Sequence, residues 1–339
     1  MTTVEEGVGT MDLECLTQPD AAASGATIDM TKSLSTSLRR GRASMWPWGF
    51  NSPILLEHQP GMTRTLDRSA RLVWRMLGRP IDTRSEHRWL DGPSNPLGGT
   101  GDEWLRAFES AGRVQPSCPS DGLLEDMSVL DGVDFVSAAV DPEIRHFYEH
   151  TASWGMQVWS QWNPVFAWAG EFIARLWSRR VQQLAIPVRP MATSPGMSSM
   201  VRTVTDGAKH RVGASWVREL RVDGSKVYSG FYRVTRIPNS DQPHVHITFP
   251  LEYGSAQVFL APSNDPDGSL WLQSGSAGFG GDGFYTVVRV GGRWYAAKAP
   301  FREIFHVYRD KAGLLRTDHW VNVGEWPLFW LHYRLDALS

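Results

Sequence analysis

Residues 284–297 read Phe-Tyr-Thr-Val-Val-Arg-Val-Gly-Gly-Arg-Trp-Tyr-Ala-Ala, two strand-forming runs joined by two glycines. Two glycines between such runs are typical of a tight β-hairpin, because glycine accepts the positive φ angles of the turn. Short strand-like runs recur on both sides at a spacing of about 8–12 residues, which predicts an antiparallel sandwich or barrel. The predicted strands are Met200–Thr205, Val212–Leu220, Lys226–Thr235, His244–Phe249, Ala256–Ala261, Ser269–Gln273, Phe284–Val290, Arg293–Ala297, Glu303–Tyr308, Leu315–Val323 and Trp330–Leu335.

Several of these runs carry bulky side chains on both faces. In residues 244–249, Val245, Ile247 and Phe249 alternate with two histidines and a threonine. Residues 329–335 alternate in the same way, which puts Trp330 and Tyr333 on opposite faces of the strand. This pattern predicts that one face lines an interior while the other is covered, for example by helices. A barrel of roughly eight strands can hold a small ligand.

The helical signals come earlier in the chain. Asp141-Pro142 is a strong helix start, since aspartate caps the first amides and proline fits the first helical position. We expect this helix to continue, after a kink, through Met156–Trp162. Asn163-Pro164 repeats the start signal, and an apolar stripe at helical spacing runs on to Leu184. Two further helices are predicted, at Leu66–Leu77 and Asp102–Ala111.

The expected fold is therefore α+β, with N-terminal helices packed on an antiparallel β-barrel or strongly curved sheet, lipocalin-like in architecture. Four regions are predicted. They are a disordered tail at residues 1–44, an irregular and partly helical region at 45–131, a helical pair at 132–190, and the antiparallel barrel or sheet at 191–339.

Composition narrows the class of protein. The net charge is −2, which gives no electrostatic basis for binding nucleic acid. Two cysteines are too few for a disulfide framework, the N-terminus lacks a signal-peptide pattern, and no apolar run reaches the roughly 20 residues of a spanning helix. We expect a cytoplasmic protein without a transmembrane segment. Peripheral membrane contact through a basic, tryptophan-bearing helix at residues 163–184 remains an alternative.

Motifs for catalysis are weak. His244 and His246 share one face of a strand, a geometry that can begin a metal site. His319 and His332 are candidate third ligands, but the sequence does not place either of them close to the pair. The glycine-rich residues 275–283 lead into a strand rather than a helix, so they do not have the context of a phosphate-binding loop. No metal, cofactor or catalytic residue is predicted, and the sequence leaves open whether the protein is an enzyme.

Three stretches resemble known proteins. The run Gly281-Asp-Gly-Phe-Tyr-Thr-Val-Val-Arg-Val290 and the ending at residues 319–335 are similar to uncharacterised actinobacterial proteins. They also resemble the soluble C-terminal part of bacterial membrane proteins of the YndJ type, and residues 141–150 resemble the start of that region. The resemblance covers about residues 141–335 and implies a shared module, with no activity to transfer.

The chain contains 16 tryptophans. Because indoles combine a large apolar surface with one polar group, they suit cores, cavities and interfaces. The leading hypothesis is an aromatic-lined β cavity that binds an apolar small molecule, with an arginine as its polar anchor. The alternatives are an enzyme of the cyclase or isomerase type on the same barrel, and a module that docks on a protein or membrane surface. The predicted ligand-binding residues are Trp216, Arg218, Tyr232, Arg233, Trp271, Trp320 and Trp330.

Overall fold

The computed structural model describes residues 72–95, 102–163, 197–221, 224, 226–275 and 278–338. All of them belong to one compact unit, residues 67–339. Within these ranges, thirteen strands form a single antiparallel sheet. The strands are β1 (Arg79–Ile81), β2 (Trp154–Trp162), β3 (Met197–Thr205), β4 (Arg211–Leu220), β5 (Lys226–Thr235), β6 (His244–Leu251), β7 (Gly254–Asn264), β8 (Leu270–Gln273), β9 (Gly283–Val290), β10 (Arg293–Ala299), β11 (Phe301–Arg309), β12 (Leu315–Val323) and β13 (Trp326–Ala337).

Ten of the strands close into a barrel in the order β7-β6-β5-β4-β3-β2-β13-β12-β11-β8, and pairing of β8 with β7 completes the circle. Closure is achieved by dividing one edge of β7. Its first half, from Gly254 to Phe259, pairs with β9, and its second half, from Ala261 to Asn264, pairs with β8. Strands β9, β10 and β1 therefore extend from β7 outside the barrel.

Alternation along the strands decides which side chains fill the interior. On β6, Val245, Ile247 and Phe249 join the main core cluster, as do Leu331 and Leu335 of β13. Because each opposing pair in the register places its side chains on the same face, this assignment propagates around the barrel. The interior is therefore a continuous apolar core interrupted by a few polar groups.

One end of the barrel is covered by residues 118–153. Their helix, Pro142–Glu149, buries Ile144 and Phe147 in the barrel core. The Asp141 carboxylate caps this helix by accepting a hydrogen bond from the backbone amide of Glu143 at 2.8 Å, as predicted. A hydrogen bond also connects residues 118–153 to the barrel, since the Gln242 side-chain amide donates to the Leu130 carbonyl at 2.7 Å.

Parts of the outer surface are also covered. The segment at residues 79–95 buries Trp89 and Leu90 against Phe259 and Tyr285 in a second, smaller core. Residues 103–105 form a 3₁₀ turn and Arg106–Ser110 form an α-helix, within the range predicted to be helical, Asp102–Ala111. There the Trp104 indole donates to the Ser229 hydroxyl at 2.9 Å.

The structure confirms every predicted strand, with ends that differ by a few residues, and the turn at Gly291-Gly292 has positive φ at both glycines. The expected helix through Met156–Trp162 is wrong. Residues 154–162 form β2, which pairs with β13 along its whole length. The residues there alternate with a period of two, and the nine-residue partnership decides between helix and strand. Residues 72–77 are helical, as expected. The predicted tail at 1–44 and the helix at 163–184 lie outside the described residues, apart from Asn163 itself.

Candidate functional site

The seven side chains predicted to bind a ligand fall into two groups. Three of them face the barrel interior and are almost fully buried: Trp216, Arg218 and Tyr232. Four lie on the outer surface: Arg233, Trp271, Trp320 and Trp330. The structure therefore brings one indole, one guanidinium and one phenol of the predicted set together, and it separates them from the rest.

Arg218 has an unusual environment for a charged residue. Its guanidinium carbon lies 4.5 Å from the centroid of the Trp216 ring, 4.1 Å from that of Tyr228 and 5.9 Å from that of Tyr333. The Nη1 group lies 3.0 Å from the sulfur of Met156, and the buried Nε has no hydrogen-bond partner. Within the described ranges, no carboxylate forms an ion pair with Arg218. The cation is thus held by aromatic faces and by the Met156 sulfur, and it also interacts with the Tyr333 hydroxyl.

Local backbone geometry contributes to this placement. Arg218 lies directly opposite Tyr228 on β5, and the register between β4 and β5 shifts just after it, between Arg218 and Glu219. Such bulges locally change the direction in which side chains point. On β3, the other neighbour of β4, the hydroxyl of Ser199 accepts a hydrogen bond from the Trp216 indole. This bond fixes the ring beneath the guanidinium.

Three tyrosines line the same interior. Burial raises the pKa of Tyr228, Tyr232 and Tyr333 above the usual tyrosine value, so all three phenols are neutral at physiological pH. The hydroxyls of Tyr228 and Tyr232 are hydrogen-bonded to each other. The positive charge of Arg218 opposes the increase in the pKa of Tyr228 and Tyr333. The phenols therefore act as neutral hydrogen-bonding groups beside a cation.

A second polar pair faces the interior on β11 and β12. The Glu303 carboxylate and the His319 imidazole are 3.2 Å apart, and their side chains are only 14% and 10% exposed. The His319 ring stacks on Phe305 at a centroid distance of 3.7 Å, while its buried Nδ1 has no partner. The negative charge of Glu303 acts on both Tyr228 and Tyr333. The pair and the arginine therefore share one polar region of the barrel interior.

The tryptophans predicted as lining residues form an external aromatic face instead. Trp271 stacks on His306 at 3.9 Å and lies nearly parallel to Trp320 at 6.4 Å. Trp330 is opposite Trp320 in the sheet, on the same outer face. Trp271, Trp320 and Trp330 were expected to line the interior, but they face outward. The side chains next to them in the sequence point inward instead, as Leu270, Leu272 and Leu331 show.

Arg233, His244 and His246 lie between the barrel and its outer cover. Arg233 donates to the carbonyls of Trp89 and Asp91 and, through Nε, to Nδ1 of His246 at 2.9 Å. His244 Nδ1 lies 2.7 Å from the Gln242 carbonyl. Both histidines thus serve as hydrogen-bonding groups. Across the part of the chain that the structure describes, no group of three His, Cys, Asp or Glu side chains is arranged for a metal.

Four members of the interior polar region were not among the predicted ligand-binding residues, and His319 was considered only as a third metal ligand. They are Tyr228, Tyr333, Glu303 and His319. The signal for one of them was present, since Tyr333 shares a strand face with Leu331 and Leu335 in the sequence. Glu303 and His319 have no such signal, because they become neighbours only through the pairing of β11 with β12.

The fold and its interior thus define a closed antiparallel β-barrel with a buried arginine among aromatic rings. The chain is 26% identical over 249 residues to the uncharacterised membrane protein YndJ of Bacillus subtilis (strain 168), covering 70% of this chain and 42% of YndJ. The resemblance to a segment of YndJ is therefore confirmed, and the aligned stretch is longer than residues 141–335. The chain spans less than half the length of this relative. No protein-family model and no solved structure matches the chain.

The relative is described as a membrane protein. In the described ranges of this chain, no helix combines the length and the apolar character needed to cross a bilayer.

Proposed function

We propose that the barrel binds a small, largely apolar molecule, in the manner of a lipocalin, and that Arg218 holds the polar or anionic group of that molecule. The observation that supports this proposal most strongly is the environment of the guanidinium. A buried cation normally requires a paired anion, because removing a charge from water is costly. Arg218 is 9% exposed and has aromatic faces as its main contacts.

The surrounding groups suit such a ligand. Trp216, Tyr228 and Tyr333 provide apolar ring surface around the guanidinium, and the neutral phenols supply hydrogen bonds without adding charge. Ligand sites typically combine a mainly apolar wall with a few polar groups that determine orientation. A carboxylate or carbonyl on the ligand would accept a hydrogen bond from the Nε of Arg218, which has no partner among the residues that the structure describes.

The test is native mass spectrometry of the protein purified from the organism that encodes it. We expect a small molecule to co-purify with the wild-type chain and to be lost from Arg218→Met. The matched control is Arg334→Met, on the outer face of β13, where the arginine pairs with Asp336 at 2.8 Å. Retention of the same molecule by Arg218→Met, or a wild-type chain that carries nothing, would overturn the proposal.

A second candidate function is an enzyme on the same barrel, and the Glu303–His319 pair favours it. A carboxylate that is hydrogen-bonded to an imidazole can move a proton to or from a bound substrate, and Nδ1 of His319 is available for this role. The test uses the co-purified molecule as substrate. We expect Glu303→Gln to stop its conversion while mass spectrometry still detects binding. Equal conversion by Glu303→Gln and the wild-type chain would exclude this role for the pair.

A further inference from the structure

The outer surface of the barrel carries a second candidate site, separate from the interior. A cleft of about 650 Å³ lies where residues 83–91 meet the outer face of β5 and the β9–β10 hairpin. Its walls include four arginines and a single carboxylate, and its remaining large side chain is an indole. These side chains are Arg84, Arg88, Arg233, Arg289, Asp91 and Trp294.

The charge of the cleft is strongly unbalanced. Among the residues with a described structure, none of the four guanidinium groups forms an ion pair with a carboxylate, whereas arginines elsewhere in the barrel do, for example Arg309 with Asp141 at 2.9 Å. Four cations around one opening create a positive potential that the single Asp91 does not neutralise. A cleft of this composition attracts anions.

One of the arginines is held rigidly in place. Arg233 uses Nη2 for the carbonyls of Trp89 and Asp91 and Nε for His246, which leaves Nη1 without a hydrogen-bond partner in the described part of the protein. Because the guanidinium is fixed before any ligand arrives, little side-chain entropy is lost on binding. Arg233 therefore forms the preorganised floor of the cleft.

The other three arginines come from two elements with defined geometry. Arg84 and Arg88 belong to a turn organised by Asp82, whose carboxylate accepts from the amide of Arg84 at 2.9 Å and from the hydroxyl of Ser85 at 2.7 Å. Arg289 lies opposite Trp294 in the hairpin, with its guanidinium 5.8 Å from the ring centroid. All three side chains are exposed at the mouth of the cleft and can close on a ligand.

We propose that this cleft binds a phosphorylated small molecule or headgroup that carries two or more negative charges. The planar fork of a guanidinium matches two oxygens of a phosphate, and several arginines together favour a multiply charged anion over a single carboxylate. The cleft is also larger than an isolated phosphate requires, and Trp294 offers an apolar ring to the organic part of the ligand.

The test is isothermal titration calorimetry of the purified chain with inorganic pyrophosphate at low ionic strength, where charges are least screened. We expect saturable binding that weakens as salt is added. Replacing one exposed arginine, in Arg88→Gln or in Arg289→Gln, should weaken binding by about tenfold, since each removes a charge-assisted contact. A parallel arm measures binding to vesicles that contain cardiolipin, whose headgroup carries two phosphates, against vesicles of phosphatidylcholine. This arm distinguishes a lipid headgroup from a soluble phosphate.

The matched control is Arg293→Gln. This arginine is exposed and directly precedes Trp294 on β10, so its side chain points away from the cleft. Its binding of pyrophosphate should equal that of the wild-type chain, and circular dichroism should show all three variants folded. Equal binding by Arg88→Gln, Arg289→Gln and Arg293→Gln, or no binding in either arm at millimolar ligand, would refute the site.

Discussion

Arg233 donates a hydrogen bond from Nε to Nδ1 of His246 at 2.9 Å, so a guanidinium cation lies directly against an imidazole. The other ring nitrogen, Nε2, is 3.0 Å from Oε1 of Gln257 and therefore carries the proton of the neutral ring. Burial, and then the charge of Arg233, holds the pKa of His246 well below its ordinary value of 6.5. This contact links the cleft, the outer cover and the barrel wall.

The first prediction concerns the pH dependence of stability. Above pH 6.5, His246 is neutral in both the folded and unfolded chain. Below that value the unfolded chain binds a proton that the folded chain excludes, so stability falls as the pH is lowered towards the folded pKa. The contribution of this residue is about 1.4 kcal/mol per pH unit. Urea unfolding between neutral and mildly acidic pH measures it.

Two variants isolate that contribution. In His246→Gln, the free energy of unfolding should be lower at neutral pH and should depend less steeply on pH below 6.5. In Met200→Leu, the pH dependence should match that of the wild-type chain, because this exposed side chain does not titrate. An unchanged slope in His246→Gln would contradict the argument.

The second prediction separates stability from binding at Arg218. Replacing a buried charge that has no anionic partner with an apolar side chain of similar length removes a desolvation cost. We expect Arg218→Met to raise the free energy of unfolding of the ligand-free chain by about 1 kcal/mol, after loss of the cation–π contacts. Arg334→Met, which breaks an exposed ion pair, should change it by about 0.5 kcal/mol or less. A large loss of stability in Arg218→Met would show that the guanidinium is compensated within the protein.

The third prediction tests how closely the cover packs on the barrel. A Cβ atom added at Gly122 would lie 2.1 Å from the carbonyl oxygen of Glu149 and 2.6 Å from that of Tyr148, at the end of the helix Pro142–Glu149. Backbone atoms cannot move aside cheaply, so Gly122→Ala should cost about 3 kcal/mol or more. At Gly207 a Cβ meets nothing within 4 Å, so Gly207→Ala should not change the stability. Thermal unfolding of the two variants and the wild-type chain measures this difference.

The fourth prediction concerns Asp141, which caps the helix and forms an ion pair with Arg309 at 2.9 Å. Asp141→Ala removes both interactions and should cost about 1–2 kcal/mol. Asp141→Asn keeps an oxygen that can accept from the Glu143 amide, so it should cost less than half as much. Equal losses in the two variants, measured by urea unfolding, would assign the whole effect to the ion pair.

Much of the local structure could be predicted from the sequence. The strands of the barrel follow from a period of two and from turn residues, as at Gly291-Gly292, and the helix start follows from Asp141-Pro142. These features depend on neighbours within a few residues, so the chain encodes them directly. Residues 154–162 could not be assigned from the sequence, since their pattern alone did not decide between helix and strand. Their pairing with β13 stabilises the strand.

The sequence by itself therefore determined the strands, their turns, and which side chains share a face, so that Trp330 and Tyr333 are on opposite faces of β13. Only the tertiary structure decided which face is inside. Both faces carry bulky aromatic groups, and burial of either is favourable, so alternation cannot rank them. Closure of β8 onto β7 resolved this ambiguity by placing Arg218, Tyr333, Glu303 and His319 in one interior, from strands that are distant in the chain.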